Sequence, residues 1–209
     1  MTEAAIEPRP RRVEIGLWLS QGWEWFAEDW PTHIAIGFFA LLLLWVGNVF
    51  LVGPVLAGLA IASLRKARGG KAELGDFFDG FRYFVWAFLA SLLIGFFGLV
   101  GLVLCIVPGL VIFAMYMLTF HFIVDEDKDL WQAMESSRKV AAQDYFGYTL
   151  FLLLLCLLNL LGLMFIGIGM IVSLPVTSLA LTAAYLNALD TIPAPSSSSP
   201  PPSPPIRIE

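Results

Sequence analysis

The chain has 209 residues and a net charge of −5; 58% of its side chains are hydrophobic, only 14% are charged, and its mean hydropathy is +0.80. These values lie far from soluble norms and point to a polytopic membrane protein. The twelve basic residues form no extended basic face, which argues against a nucleic-acid binder. Cys105 and Cys156 both fall inside apolar runs with neither metal-ligand spacing nor a disulfide framework, so free thiols buried in the membrane are expected.

Residues 1–12 read as a polar, flexible start, and no cleavable signal peptide is expected ahead of the first span. From Val13 to Trp30, Ile15, Trp18, Leu19, Phe26 and Trp30 share one helical face, while Glu14, Gln21, Glu24 and Glu28 share another. Trp18, Trp23, Trp25 and Trp30 all lie here. Indole rings favour the headgroup boundary, so this segment is expected to be an amphipathic interfacial helix. The alternative is an amphipathic helix packed on the rest of the protein.

The first charge-free run, Trp30–Leu64, has 35 residues, short for two full crossings. Two helices near 33–51 and 54–67 are expected, with Pro54 opening the second. A long tilted span with a partly re-entrant segment is the rival. In the first charged loop, 65–82, Asp76 reads as a helix cap with Asp79 at the third helical position. Phe77, Phe78 and Phe81 would then lie along a membrane surface.

The run Tyr83–Val124 has 42 residues without a charge. As a single helix it would reach about 63 Å, roughly twice a bilayer's hydrocarbon core. A hairpin fits better, with Gly98 and Gly101 near the bend and Pro108-Gly109 opening the return helix, because proline suits a first helical turn. The second charged loop, 125–144, holds Asp129 followed three residues later by Gln132, a capping-box-like start for a second surface helix. Leu130, Trp131, Met134, Arg138, Ala141 and Tyr145 trace one of its faces, with Trp131 a further interfacial anchor. The third run, Tyr145–Leu189, spans 45 residues, with Gly162, Gly167 and Gly169 near the bend and Pro175 opening the last helix. The tail from Asp190 is Pro/Ser-rich and expected to be disordered.

Every Lys and Arg lies in the N-terminus, in 65–82, in 125–144 or in the tail. Three hairpins would put them all on one side, which the positive-inside rule assigns to the cytoplasm. The expectation is an all-α transmembrane fold, a six-helix bundle of three Pro/Gly-bent hairpins with amphipathic interfacial helices. Its divisions are 1–30 (flexible start and interfacial helix), 31–189 (membrane domain) and 190–209 (tail). The units also look repeated: Trp30 to Pro54 and Phe84 to Pro108 are each 24 residues, and Tyr148 to Pro175 is 27.

The segment from Pro108 through Val140 resembles a group of bacterial polytopic integral membrane proteins of unknown function. It is similar as well to the membrane domain attached to some glycerophosphodiester phosphodiesterases. The residues that carry the resemblance are Pro108-Gly109, Phe120, Phe122, Asp125 and Ala133–Ser137, with Gly53–Gly58 upstream and Pro175 to Tyr185 downstream. What the resemblance implies is a six-helix membrane module; together with the one-sided charge, the expectation is a multi-pass protein of a bacterial inner (cytoplasmic) membrane with both termini cytoplasmic. No phosphodiesterase domain accompanies it and no catalytic residue is carried over.

No Asp, Glu, Lys or Arg falls inside an apolar run. Intramembrane charge usually marks ion pathways and proton relays, so its absence weakens a pump, a proton-coupled transporter and an intramembrane protease. The polar residues Asn48, Ser91, Asn159, Ser173, Thr177 and Ser178 read as helix–helix hydrogen-bonding groups, with a weak polar path as the rival. His33 and His121 lie near run ends. They read as interfacial packing residues, with proton transfer alongside Asp125 or Glu126 as the rival. The acids Asp125-Glu126-Asp127 and Asp129 lack the alternating spacing of a calcium loop and read as a solvated helix entry, not a metal site. Ser136-Ser137 has no nucleophile elbow. No catalytic, cofactor or metal site is therefore expected. The functional expectation is a non-enzymatic accessory subunit or lipid-interacting organiser, with membrane lipids and other membrane subunits or a second copy as partners. A small transporter or flippase is the alternative.

Overall fold

The computed structural model describes residues 13–164 and 168–189, the side chains of Asn48 and Val49 excepted. The expected flexible start, the Pro/Ser-rich tail, Gly167 and the polar role of Asn48 lie outside the described residues. Among the described residues the chain is all helical. The elements are α1 (Ile15–Glu28), α2 (Trp30–Ala67), α3 (Leu74–Asp79), a 3-10 turn at Gly80–Tyr83, α4 (Phe84–Leu104), α5 (Ile106–Tyr116), α6 (Thr119–Asp125), α7 (Leu130–Ala141), α8 (Tyr145–Met164) and α9 (Met170–Ala188). Six stretches are long and apolar enough to cross a membrane: 30–47, 50–67, 74–104, 106–125, 145–164 and 170–188.

Helix α2 carries two of these spans without a break in helical assignment over its 38 residues. Straight, it would be about 57 Å long. Yet Lys66 Nζ lies 2.9 Å from Glu28 Oε2, just before the start of α2. Ile36 and Ala40 share one buried cluster with Val55, Leu59 and Ala62. The helix therefore does not run straight, and its two ends meet. This corrects the expectation of separate helices near 33–51 and 54–67. Pro54 is inside α2, four residues into its second span, where it removes only one backbone hydrogen bond.

Two other prolines differ from expectation in degree. Pro108 occupies the third position of α5, where its missing N–H costs nothing. Pro175 does not open α9: the helix starts at Met170, five residues earlier. Its ring frees the carbonyl of Ile171 from the helical ladder. Gly37 of α2 crosses directly against that carbonyl and the proline ring, and any Cβ at Gly37 would collide with both.

Helix α9 is the hub. It is buried on nearly every side from Ser173 to Leu186 and packs against α1, α2 and α8. Around it α2 also packs on α4, α4 on α5 and α5 on α8, which closes a ring of helices. The Gly53–Gly58 motif makes the α2 contacts close: a Cβ at Gly53 would strike the carbonyl of Ala87, and one at Gly58 that of Phe77. The outward faces of α4 and α8 are rows of exposed leucine, valine and phenylalanine, among them Phe96, Leu99, Val103, Leu157, Leu160 and Leu163. So large an exposed apolar surface suits hydrocarbon as its solvent.

The surface helices depart from the sequence reading in instructive ways. In α1 the buried face is Trp18, Gln21, Gly22, Trp25 and Phe26, and Gly22 sits against the backbone of Ala180. Trp18, 1% exposed, packs on Phe151 and Tyr148 with ring centroids 5.0 and 5.7 Å away. Trp18 and Trp25 are thus core residues and not interfacial anchors, whereas Trp23 and Trp30 are exposed as an interfacial role requires. Helix α3 begins one turn before expectation. Glu73 is the N-cap, and Asp76 at the third helical position accepts the Glu73 N–H at 2.8 Å. Helix α7 starts where expected, with Asp129 Oδ1 accepting from Gln132 N at 2.9 Å. Its buried face is Ala133, Met134, Ser137 and Ala141, so the Arg138 side is turned partly out, and Trp131 is exposed.

Candidate functional site

The polar residues inside the bundle collect along α9. Ser178, Thr182 and Tyr185 follow at spacings of four and three, which places them on one helical face. Each holds a different neighbour. Ser178 Oγ and Ser63 Oγ of α2 are 2.8 Å apart, both buried. Thr182 Oγ1 lies 2.9 Å from His121 Nε2 of α6. Tyr185 donates its hydroxyl to Asp125 Oδ2 at 2.8 Å and packs its ring on His121 and Phe122. The other Asp125 oxygen takes the Arg68 guanidinium at 2.6 Å, so the ends of α2, α6 and α9 are clasped together. Glu126 completes the clasp, paired with Lys128 at 2.8 Å.

A second set joins α8 to α9. Asn159 Nδ2 donates to Thr177 Oγ1 at 2.8 Å and to Leu155 O at 2.9 Å, and its Oδ1 accepts from Ser173 Oγ at 3.0 Å. Ser91 turns back to its own helix, donating to Phe88 O. These groups, which include Ser91, Asn159, Ser173, Thr177 and Ser178 singled out in the sequence, are paired with one another or with backbone.

Both histidines are buried. His33 is 2% exposed and its Nδ1–H donates to Asp29 O at 2.9 Å. His121 is one turn from Asp125 but bonds Thr182, not a carboxylate. The acidic run is divided among separate tasks: Asp125 and Glu126 in the clasp, Asp129 capping α7. No group of three or more metal-ligating side chains occurs among the described residues.

Between α5 and α6 the span 106–125 is broken at Met117-Leu118. Neither glycine nor proline marks the place. The break is held from outside by Ser137 of α7, whose hydroxyl donates to Met115 O at 2.7 Å and accepts from Leu118 N at 3.3 Å. One buried side chain from the surface helix thus replaces ladder bonds that the interrupted span lacks.

Within the helix ring lies a half-open cavity of about 550 Å³. Its walls come from α2 (Leu56, Leu59), α4 (Ile94, Gly95), α5 (Leu110, Phe113), α8 (Leu152, Cys156) and α9 (Leu174, Leu181), with Phe120 and His121 of α6 at one end. Of the polar side chains that border it, Ser91, Thr177 and Ser178 are bonded, His121 is bonded through Nε2 while its Nδ1 is buried without a partner, and Tyr116 adds a hydroxyl to the wall. Both cysteines are free and lie on the protein's exposed surface, Cys105 at the α4–α5 turn and Cys156 on the cavity wall.

Sequence reasoning assigned no bonding role to Ser63, Arg68, Ser137, Thr182 or Tyr185. The Ser178/Thr182/Tyr185 spacing was the available signal for the α9 stripe; its α6 partners His121 and Asp125 were singled out in the sequence, whereas Ser63 and Arg68 of α2 carried no signal. Comparison with known protein families, with curated proteins and with solved structures finds no match for this chain.

Proposed function

We propose that the protein is a non-enzymatic integral membrane module, an accessory subunit or lipid-interacting organiser of a bacterial inner-membrane assembly. The observation that carries this reading is the pairing of polar groups along α9. The hydroxyls, the amide and the clasp carboxylates are spent on holding helices together, which suits a rigid membrane scaffold. The proposed architecture is three hairpins with the charged segments on the cytoplasmic side. It is supported by the meeting of the α2 ends and by the close approach of Gly162 to Gly169 at the α8–α9 turn. The Lys66–Glu28 and Arg68–Asp125 pairs, which gather charged segments at one end, support it too.

One observation favours the alternative of a small transporter or flippase: the α5–α6 break borders the cavity, with Met117 on its wall, and is a natural hinge. Purification in native-lipid discs separates the two. A stoichiometric membrane-protein partner, or a defined lipid shell with no substrate flux in reconstituted vesicles, supports the module. Saturable flux of a solute or lipid across the bilayer, without a partner, would refute it.

A further inference from the structure

We infer that the cavity inside the helix ring is a binding site for one acyl chain of a membrane lipid. The inference rests on the membrane-spanning reading of the fold but not on the scaffold role.

The chemistry of the walls selects the ligand. A water needs two to four polar partners to settle in a buried space, and most of this lining is apolar: Ser91, Thr177 and Ser178 are already bonded, which leaves only the Tyr116 hydroxyl and His121 Nδ1. Apolar cavities of about 150 Å³ stay dry and take up small hydrocarbons, and this one is about 550 Å³. Left empty, its walls would forfeit their dispersion contacts. The volume falls within the range of about 300–1,000 Å³ usual for small-molecule sites.

The length selects one chain of one leaflet. Leu110 and His121 lie toward opposite ends of the lining, eleven residues apart along α5–α6. On the unbroken α4 the same separation, Ser91 to Leu102, is about 16 Å at helical rise, close to half of a hydrocarbon core of about 30 Å. A headgroup finds no unpaired charge among the walls, which leaves the hydrocarbon chain as the part that enters.

Two residues make this testable. Gly95 is on the wall, and a Cβ built there meets nothing within 4 Å, so a larger side chain would enter the cavity without striking the backbone. Cys156 is a native thiol on the facing wall. The full chain, as Cys105→Ser, is placed in nanodiscs doped with phosphatidylcholine carrying a diazirine on one acyl chain. A free fatty acid with the same group is run in parallel. After irradiation, adducts are mapped by peptide mass spectrometry. The expected result is adducts at Phe113, Leu152 and Cys156 as well as at the outward-facing Val103 and Phe146. Gly95→Leu should lower the cavity adducts several-fold and leave the outward ones unchanged. Cys156→Phe, filling the space from α8, should do the same at Phe113 and Leu152 and serves if Gly95→Leu does not fold. Adducts confined to the outer surface, or cavity adducts indifferent to both plugs, would overturn the proposal. Cavity labelling by the fatty acid but not by phosphatidylcholine would overturn the assignment to a bilayer lipid.

Discussion

Ser136 and Ser137 are neighbours with the same side chain and opposite consequences. Ser137, 1% exposed, holds both sides of the α5–α6 break through Met115 O and Leu118 N. Ser137→Ala leaves a buried carbonyl and a buried N–H without that partner. A buried hydrogen bond contributes about 0.5–1.5 kcal/mol net in water-soluble proteins, and interhelical bonds in membranes average about 0.6. Two such bonds give a loss of about 1–3 kcal/mol. Ser136 only accepts from Lys128 Nζ at the partly exposed edge of α7, and its alanine variant should stay within about 0.5 kcal/mol. Reversible unfolding in mixed detergent–SDS micelles, followed by tryptophan fluorescence, compares the two. Hydrogen exchange localises the effect: the Leu118 amide should exchange faster in Ser137→Ala and not in Ser136→Ala. Equal stability of the two variants, or unchanged exchange at Leu118, would refute the role given to Ser137.

Three further outcomes are expected. Gly53→Ala and Gly58→Ala drive a methyl into the carbonyls of Ala87 and Phe77 and should cost about 1–3 kcal/mol each, while Gly16→Ala, with open space at its Cβ, should be neutral or stabilising in the same unfolding assay. Trp18→Ala should cost about 3–5 kcal/mol as a core truncation, and Trp131→Ala little, which thermal unfolding in detergent would distinguish. Glu135, outside the spans, accepts two hydrogen bonds from Arg138, and these hold its carboxyl below its ordinary value. Its contribution is present above the ordinary carboxylate pKa and lost as pH falls through the lowered folded value. An acid titration of stability should therefore show a small loss at low pH that Glu135→Gln abolishes.

The spans were legible because charge is excluded from hydrocarbon and marks where each run ends. The α7 start was legible because Asp129 and Gln132 carry a local capping signal. What failed depended on partners. Trp18 and Trp25 carry the same side chain as Trp23 and Trp30, and only the presence of α8 and α9 decides which pair is buried. Pro54 and Pro175 looked like helix starts, yet each lies inside a helix, where packing tolerates one lost bond. The break at Met117-Leu118 has no local signature, since the hydroxyl that holds it comes from twenty residues downstream. The cavity was invisible for the same reason. It is a property of the ring and of no single helix.

The central claim is that the helical runs cross a membrane with the charged loops on one side. The native Cys105 lies at the α4–α5 turn, and the Arg68–Asp125 pair puts the two charged loops together at the other end of the bundle. In a Cys156→Ser background, Cys105 and, in separate variants lacking it, cysteines at Gly70 or Lys128 are probed with a membrane-impermeant maleimide on oriented vesicles. The account predicts that Gly70→Cys and Lys128→Cys label from one face and Cys105 from the opposite face. Labelling of Cys105 from the same face as either loop would contradict it.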